Sequence, residues 1–251
     1  MIGPTCIIQA RMSSTRLPGK VLMQLGAHSV LELVLRRLAR SRHLVQLVVA
    51  TTTEPEDDAI VTACSRLSLA KPIEVHRGSL TDVLSRYVGA ASAFGGDPLI
   101  RVTSDCPLID PGVIDSMLER FAQGDCDYLS NAIERTFPRG LDAEVFSKDA
   151  LMRAAGLAQQ PHEREHVTPF IYQHPERFRL QHWVRETSRS GLRWTLDTPE
   201  DLAFLAAFMQ RIQMLGHNVV DIDIDTLLKV FDSAPELAQI NQHIQQKSLH
   251  A

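Results

Sequence analysis

The sequence predicts an α/β fold in which a mostly parallel sheet is flanked by helices. Two observations support this prediction. Short apolar runs alternate with segments of helical period through the first half of the chain, and this alternation is typical of parallel strands joined by right-handed crossovers. In addition, residues 30–38 place their aliphatic side chains on one broad face, as expected of a helix that covers a sheet.

The predicted elements of the first half follow one another at short intervals. Pro55 and Pro111 stand where the first turn of a helix tolerates proline. The predicted helices begin near Val30, Glu56, Asp82 and Pro111. The predicted strands are residues 5–10, 46–52, 73–76, 99–103 and 128–130. Ligands bind at the carboxyl ends of parallel strands, so the segment after residue 10 is the first candidate for a site.

The second half of the sequence is less regular than the first. The predicted elements are a loop and strand at 138–146, a helix at 164–173 interrupted by Pro169, strands at 180–184 and 192–195, and two or three helices from Pro199, the last at about 235–246. No repeat or linker divides the sequence. We therefore predict one domain over residues 1–251, with a small substrate-side lobe inserted at about 130–190.

The composition narrows the class of protein. Hydrophobic residues make up 44% of the 251-residue chain and charged residues 22%, which is ordinary for a globular protein. The net charge of −4 argues against a duplex nucleic-acid binder, and no apolar run reaches membrane-spanning length. The four cysteines lack the spacing of a metal site, which predicts free thiols. We expect a cytoplasmic protein that binds neither nucleic acid nor membrane.

Three cations follow the first predicted strand: Arg11, Arg16 and Lys20. Serine, threonine and glycine residues lie between them and predict a flexible turn. Cations on such a loop, together with backbone N–H groups, suit a polyphosphate. The segment is neither a Walker loop nor a Gly-x-Gly-x-x-Gly turn. The alternative is a solvated basic loop.

Asp105 occupies a position suited to a metal ion, and a second acidic residue, Asp197, follows later in the chain. Asp105 follows the predicted strand at 99–103, and Asp197 follows the one at 192–195. Mg²⁺ takes carboxylates together with phosphate oxygens of a substrate, so Asp105 is a candidate ligand of a hard metal ion. The alternative is a capping role for each residue, since Pro199 opens a predicted helix just after Asp197.

A further segment, residues 76–87, passes from a strand through a glycine turn into a helix. It carries Arg77, Ser79 and Asp82 near the turn. Ser79 and Asp82 suit helix capping as well as they suit ligand binding, so both interpretations stay open.

The loop after the first strand resembles a known signature. Residues 10–20 match Ala-Arg-x-x-Ser-x-Arg-Leu-Pro-Gly-Lys, the pattern of cytidylyltransferases that make CMP-activated 3-deoxy-2-keto acid sugars. The segments around Asp105 and Asp197 resemble the metal-binding segments of that family. The resemblance implies a single Rossmann-like nucleotidyltransferase domain that uses CTP and Mg²⁺, and related enzymes are commonly homodimers.

The resemblance also implies roles for particular residues. It assigns metal binding to Asp105 and Asp197, and catalysis to the same two residues with Arg11 and Lys20. It implies that the turn in residues 76–87 contributes to the base and ribose pocket. The implied nucleotide-binding residues are Ala10, Arg11, Ser13, Arg16, Lys20, Arg77, Ser79, Asp82 and Asp105.

Residues 138–146 and 164–169 resemble the subgroup typified by the spore coat polysaccharide biosynthesis protein F. Their charged side chains suit a carboxylated sugar, because arginine pairs with carboxylates while acidic groups accept hydrogen bonds from hydroxyls. The alternative is that they are surface charges and that His166 is a packing residue. The predicted acceptor-binding residues are Arg139, Asp142, Glu144, Glu165 and His166.

Together these segments predict an enzyme that transfers CMP from CTP to an acidic sugar of the 2-keto-3-deoxy type, for surface polysaccharide biosynthesis, and releases pyrophosphate. Another nucleotide or acceptor remains an alternative. Two further alternatives are a glycosyltransferase that consumes a sugar nucleotide and a regulator that binds a sugar nucleotide without turnover.

Two further motifs are discounted. Residues 162–166 fit the H-E-x-x-H zinc-protease pattern, but prolines enclose them closely and the segment lacks the apolar face of a packed zinc helix. Asp221, Asp223 and Asp225 have the spacing of a glycosyltransferase metal motif, but they follow a predicted helix late in the chain.

Overall fold

The computed structural model describes residues 2–246. The strands are β1 (Thr5–Gln9), β2 (Gln24–Leu25), β3 (His28–Ser29), β4 (Gln46–Thr52), β5 (Ile73–Gly78), β6 (Leu99–Thr103), β7 (Tyr128–Ser130), β8 (Glu144–Phe146) and β9 (Leu180–His182). The helices are α1 (Val30–Leu38), α2 (Asp58–Ser65), α3 (Val83–Phe94), α4 (Pro111–Phe121), α5 (Lys148–Leu157), α6 (Pro161–His166), α7 (Pro169–Tyr172), α8 (Pro199–Met214) and α9 (Ile224–Asp232). None of the helices within residues 2–246 combines the length and apolar character needed to cross a bilayer. Residue 1 and residues 247–251, which the predicted domain includes, lie outside the described residues.

The main sheet confirms the predicted fold class. Its spatial order is β5-β4-β1-β6-β8-β7-β9, while β2 and β3 form a separate hairpin. Strand β8 is antiparallel to both of its neighbours, and the other neighbouring pairs of the sheet are parallel. The result is a mostly parallel, Rossmann-like α/β sheet.

Both faces of the sheet are buried, because successive residues of β1 enter different hydrophobic clusters. Cys6 and Ile8 pack in a cluster that includes residues of α1, α4, α8 and α9. Ile7 packs in a second cluster, which includes residues of α3, α5 and α7. A strand that is apolar on both faces is typical of a parallel sheet covered by helices on both sides.

The order of the strands creates a crevice between β1 and β6. From β1 the chain moves outward to β4 and then to β5, and it returns to place β6 on the opposite side of β1. Ligands of open α/β sheets bind at such a switch point, outside the carboxyl ends of the strands. The loop after β1 and the residues after β6 therefore lie together at this crevice.

The five strands predicted in the first half lie within two residues of their predicted bounds, but β2 and β3 were not predicted and parts of the second half differ. Within the described residues, the predicted strand at 192–195 does not form, because the backbone groups of this segment bond to two loops. The segment instead makes an isolated bridge between Arg193 and Arg139. The predicted last helix is a 3₁₀ helix at Pro235–Ile240, followed by irregular chain. The expected lobe contributes β8 and β9 to the main sheet, and α5 within it was not predicted.

Gly140 allows residues 139–141 to lie directly against residues 192–195. Its φ is +104°, and a Cβ atom there would lie 2.5 Å from the carbonyl carbon of Trp194. The Trp194 N–H donates to the Arg139 carbonyl at 2.7 Å across this contact. Both the backbone conformation and the close approach therefore require glycine.

We expect Gly140→Ala to lower the free energy of unfolding by about 3 kcal/mol or more, because a backbone clash adds to the strain of a positive φ. Gly216→Ala is the matched control: its φ is +78°, and no atom lies within 4 Å of the added Cβ. The control should cost about 1 kcal/mol through strain alone. Denaturant unfolding measures both, and equal losses would contradict the argument.

Candidate active site

The loop after β1 is folded around the backbone of Met12. The Met12 carbonyl accepts hydrogen bonds from the N–H groups of Ser14 at 2.8 Å and Gly19 at 2.9 Å. Gly19 has a φ of 69°, which permits the turn that ends the loop. Lys20 then begins a short 3₁₀ helix, Lys20–Leu22, and its side chain is buried. The loop thus returns Lys20 to the carboxyl end of the sheet.

Asp57 anchors this loop from a neighbouring segment. Its Oδ1 accepts the Met12 N–H at 2.7 Å, and its Oδ2 accepts the Thr51 hydroxyl at 2.9 Å and the Thr52 N–H at 3.0 Å. Burial alone would raise the pKa of the Asp57 carboxyl, but hydrogen bonds from the Thr52 hydroxyl and from backbone N–H groups hold it below its usual value. This role was not predictable from local sequence patterns, because the contact joins residues 45 positions apart in the chain.

The Lys20 ammonium lies between the two predicted metal ligands. Its Nζ is 2.8 Å from Asp105 Oδ2 and 2.8 Å from Asp197 Oδ1, and it donates to the Leu196 carbonyl at 2.7 Å. We call Lys20, Asp105 and Asp197 the central cluster. Arg16 adds a second cation, with its NH2 group 3.0 Å from Asp197 Oδ1.

Backbone contacts hold the two acidic segments together. The Asp105 carbonyl accepts the Leu196 N–H at 2.9 Å and the Thr195 hydroxyl at 3.1 Å. The Thr103 hydroxyl donates to Asp105 Oδ1 and fixes the rotation of that carboxylate. The proximity of Asp105 and Asp197 is therefore built into the backbone as well as into the charge pairing.

Arg193 supports Asp197 from the other side. Its NH2 group is 3.1 Å from Asp197 Oδ2, while its Nε and NH2 groups bind the two oxygens of Asp201 at 2.8 Å each. Asp201 also accepts the N–H groups of Asp197 at 2.9 Å and Thr198 at 3.1 Å, as the partner of Thr198 in a capping box that opens α8. The start of α8 thus fixes both the backbone and the side chain of Asp197.

Electrostatic pairing dominates desolvation in the central cluster. Burial would raise the pKa of the Asp105 carboxyl, but the Lys20 ammonium and the Thr103 hydroxyl outweigh burial and lower it. Burial would likewise lower the pKa of Lys20, but Asp105 and Asp197 raise it above its usual value. Asp105 and Lys20 therefore stay charged at neutral pH.

Two adjoining cavities open at the central cluster. The loop cavity, of about 500 Å³, lies against the loop after β1 and the first turn of α3. The lobe cavity, of about 390 Å³, lies against residues 132–144 and 166–172. The residues that line both cavities in the described chain are Gln9, Thr103, Asp105, Arg139, His166, Asp197 and Gln246. A molecule in one cavity therefore meets a molecule in the other beside the central cluster.

The structure brings only some of the predicted nucleotide-binding residues together. Those that line the loop cavity are Ala10, Arg11, Arg16, Lys20 and Asp105. Those that line neither cavity in the described part of the chain are Ser13, Arg77, Ser79 and Asp82.

Contacts within the protein hold the residues at the turn between β5 and α3, beginning with Arg77. Its guanidinium turns away to donate to the carbonyls of Thr52 at 2.8 Å and Glu54 at 2.9 Å. Asp82 caps α3 by accepting the Ser85 N–H at 2.9 Å, and the hydroxyl of Ser79 accepts the Asp82 N–H at 3.0 Å. These contacts match the capping alternative for Ser79 and Asp82.

The predicted acceptor-binding residues divide between the cavities. Asp142 and Glu144 line the lobe cavity, Glu165 lines the loop cavity, and Arg139 and His166 line both. Asp142 pairs with Arg135. The Arg139 guanidinium forms no ion pair within residues 2–246, and burial together with the neighbouring Arg135 lowers its pKa. Arg139 is thus a cation available to an anionic ligand.

The carboxylate of Glu144 is already paired within the protein. One oxygen pairs with Arg101, and the other accepts the hydroxyls of Tyr128 and Thr168. A buried carboxylate of this kind requires its partners, since an unpaired charge in the interior is costly. Glu144 therefore forms part of the wall of the lobe cavity by holding Arg101 in place.

Arg86 lines the loop cavity and was not singled out from the sequence. It is 2% exposed, and its NH1 group donates to the Ser79 carbonyl at 3.0 Å. Burial and the nearby Arg11 guanidinium lower its pKa. Its spacing of four residues from Asp82 is that of an ordinary surface pair on a helix, so no local pattern marks it.

The two discounted motifs have structural roles. Glu163 of the H-E-x-x-H segment is buried, and its Oε2 accepts the N–H groups of Gln159 and Gln160 at 2.8 Å each. Asp223 caps α9, and Asp225 pairs with Arg185. Over residues 2–246, no group of three or more His, Cys, Asp or Glu side chains is placed to hold a metal ion.

Comparison with known proteins agrees with this geometry. Residues 5–246 match the family described as cytidylyltransferase. The chain belongs to the cytidylyltransferase family. It is 37% identical over 245 residues to an uncharacterized protein of Methanocaldococcus jannaschii, covering 96% of each chain. It is 34% identical over 241 residues to the spore coat polysaccharide biosynthesis protein SpsF of Bacillus subtilis, covering 92% of this chain and 95% of that protein.

Solved structures show the same architecture. A cytidylyltransferase from Leptospira borgpetersenii superposes with a TM-score of 0.88 at 33% identity, covering 98% of this chain and 100% of that one. A CMP:2-keto-3-deoxy-manno-octonic acid synthetase complexed with CTP superposes with a TM-score of 0.62 at 16% identity, covering 83% and 99%. The second likeness concerns the fold alone.

We expect Asp57→Asn to lower the free energy of unfolding by about 1–3 kcal/mol at pH 7, because an amide replaces a carboxylate that accepts several hydrogen bonds. The folded pKa of Asp57 is lowered, so its stabilisation is present above the unfolded pKa of about 4 and is lost as the pH falls through the folded pKa. The difference from the wild type should therefore shrink as the pH falls below about 4.

Asp58→Asn is the matched control, because its side chain is 66% exposed and pairs with Arg77 outside the loop. We expect it to change stability by less than about 0.5 kcal/mol. Denaturant unfolding at several pH values measures both variants. A pH-independent difference for Asp57→Asn would contradict the assigned role.

Proposed function

We propose that this cytidylyltransferase transfers CMP from CTP to an acidic sugar of the 2-keto-3-deoxy type and releases pyrophosphate. The observation that carries the proposal is the position of the central cluster, where the two cavities adjoin. One cavity is rich in cations, and the other has polar walls with Arg139 at the junction. This arrangement suits transfer between a nucleotide and a sugar.

The loop cavity suits the triphosphate of the nucleotide. Arg11, Arg16 and Lys20 come from one loop, and Arg86 adds a buried guanidinium from α3. Arginine and lysine side chains in a partly enclosed cleft bind phosphate oxygens through charge-assisted hydrogen bonds. We assign these four side chains to the triphosphate and to the departing pyrophosphate.

Magnesium is the proposed cofactor, with Asp105 and Asp197 as its protein ligands. Mg²⁺ typically uses one or two carboxylates and completes its shell with water and substrate phosphate oxygens. A pair of carboxylates beside a phosphate-binding loop therefore fits it without a third protein ligand. When bound, the ion would neutralise charge on the phosphate oxygens.

The proposed reaction forms one phosphorus–oxygen bond and breaks another. A hydroxyl oxygen of the sugar attacks the α-phosphorus of CTP, and the bond to the β-phosphate bridging oxygen breaks. The bonding electron pair leaves with pyrophosphate, and the hydroxyl proton is released to water. Such transfers depend on positioning and charge neutralisation, which Lys20 and Arg16 supply at the cluster.

The acceptor class rests on the lobe cavity and on the relatives. Arg139 offers a guanidinium without an ion pair in the described chain, which suits a sugar carboxylate. The polar groups of Asp142, Thr168 and Tyr172 in the same wall suit sugar hydroxyls. The name of the SpsF relative supports a role in making surface polysaccharide.

The decisive experiment measures pyrophosphate release with each of the four common nucleoside triphosphates and a panel of 2-keto-3-deoxy sugar acids and neutral sugars. We expect turnover with CTP and a sugar acid. Turnover with another nucleotide, or with a neutral sugar as the better acceptor, would contradict the proposal. Nucleotide binding without pyrophosphate release, for every combination of nucleotide and sugar, would indicate a regulator.

We expect Asp105→Asn to reduce turnover at least about 10²-fold, because it removes one preorganised charged group from the reaction centre. Asp225→Asn is the matched control, since Asp225 is exposed and pairs with Arg185, and neither residue lines the loop cavity or the lobe cavity. The control should keep wild-type turnover. Activity per folded molecule, with folding checked by circular dichroism, separates the two. Near-normal turnover of Asp105→Asn would show that Asp105 has no part in the reaction centre.

A further inference from the structure

Residues 241–246 pack against the residues that support Asp197. Asn241 is 2% exposed, and its side-chain NH₂ group donates to the Arg193 carbonyl at 3.0 Å and to Asp201 Oδ1 at 2.9 Å. Gln246 lies five residues further on and accepts a hydrogen bond from the NH1 group of Arg193 at 2.9 Å through its Oε1. The segment is thus fixed at both ends to the same arginine.

The contact with Arg193 fixes the orientation of the Gln246 carboxamide. A guanidinium has only N–H donors, so Gln246 must present its carbonyl oxygen to it. The NH₂ group of Gln246 then points away from Arg193, and it has no hydrogen-bond partner within residues 2–246. This orientation follows from the chemistry of the pair.

Gln246 lies at the junction of the two cavities. It lines both of them, as do Arg139 and the two carboxylates of the central cluster. Arg139 and Gln246 are both close to Arg193, the first through a backbone bridge and the second through its side chain. The junction therefore combines a guanidinium that has no ion pair in the described chain with an N–H donor, a pair that suits the oxygens of a carboxylate.

We propose that Gln246 is a specificity-determining residue, whose carboxamide N–H donates to the carboxylate of the acceptor beside Arg139. The assignment rests on the proposed function, because it presumes an acidic acceptor in the lobe cavity. It gives residues 241–246 a role in substrate recognition in addition to their contact with Arg193.

Gln246→Glu tests this role separately from the structural one. A carboxylate keeps oxygens for Arg193 but removes the N–H donor and places a negative charge beside the acceptor. We expect the acceptor KM to rise at least about 10-fold, with the CTP KM within about twofold of wild type and the melting temperature not lowered. Gln246→Ala should raise the acceptor KM about 3- to 10-fold, as expected for one lost hydrogen bond.

Gln245→Glu is the matched control. It introduces the same charge at the neighbouring exposed position, which lines neither cavity in the described chain. Its acceptor KM should stay within about twofold of wild type. Equal acceptor KM values for Gln246→Glu and Gln245→Glu would overturn the assignment, as would a rise in the CTP KM alone. Absence of wild-type turnover with CTP and any sugar acid would instead refute the proposed function and this assignment together.

Discussion

The site depends on one lysine that lies between two carboxylates. Lys20 pairs with Asp105, which is 85 residues away in the chain, and with Asp197, which is 177 residues away. Two carboxylates at hydrogen-bond distance from one point repel each other strongly unless a cation separates them. The lysine therefore couples three segments: the loop after β1, the end of β6 and the residues before α8. Asp57 and Arg193, in turn, fix the loop and Asp197.

The same charge pairing prepares the site for a polyanion. The chain as a whole carries a net charge of −4. Among the described residues, however, five cationic and three carboxylate side chains line the loop cavity. Two of the carboxylates, Asp105 and Asp197, pair with Lys20, Arg16 and Arg193, whereas Arg11, Arg86 and Arg139 form no ion pair within residues 2–246, so the cations of the cavity outnumber its carboxylates. A local excess of this kind attracts a highly charged nucleotide to a protein that is negative overall.

Much of the fold was predictable, because hydrophobic periodicity and glycine or proline positions are local signals. The strand before Arg11 and the strand before Asp105 were both placed within one residue of their ends. Their meeting at the sheet edge followed from parallel topology. The error at residues 192–195 arose because an extended apolar segment resembles a strand, although its backbone bonds to two loops.

Residues whose roles arise from long-range contacts were not predictable in the same way. Arg77 and Arg86 belong to one strand–turn–helix unit, and only packing decides that Arg86 lines the cavity while Arg77 turns away. Glu144 is a charged residue of the kind that binds ligands, but its carboxylate pairs with Arg101. Gln246 is a polar residue in a polar segment, and its position at the junction depends on Arg193, 53 residues earlier.

A double-mutant cycle on Lys20→Met and Asp105→Asn tests the central claim most directly. Each single variant leaves a largely buried charge with fewer partners, whereas the double variant removes both charges. If the lysine holds the carboxylates together, the free energies of unfolding should show a coupling of about 1–3 kcal/mol. Additive losses, within about 0.5 kcal/mol, would contradict the claim that this ion pair organises the site.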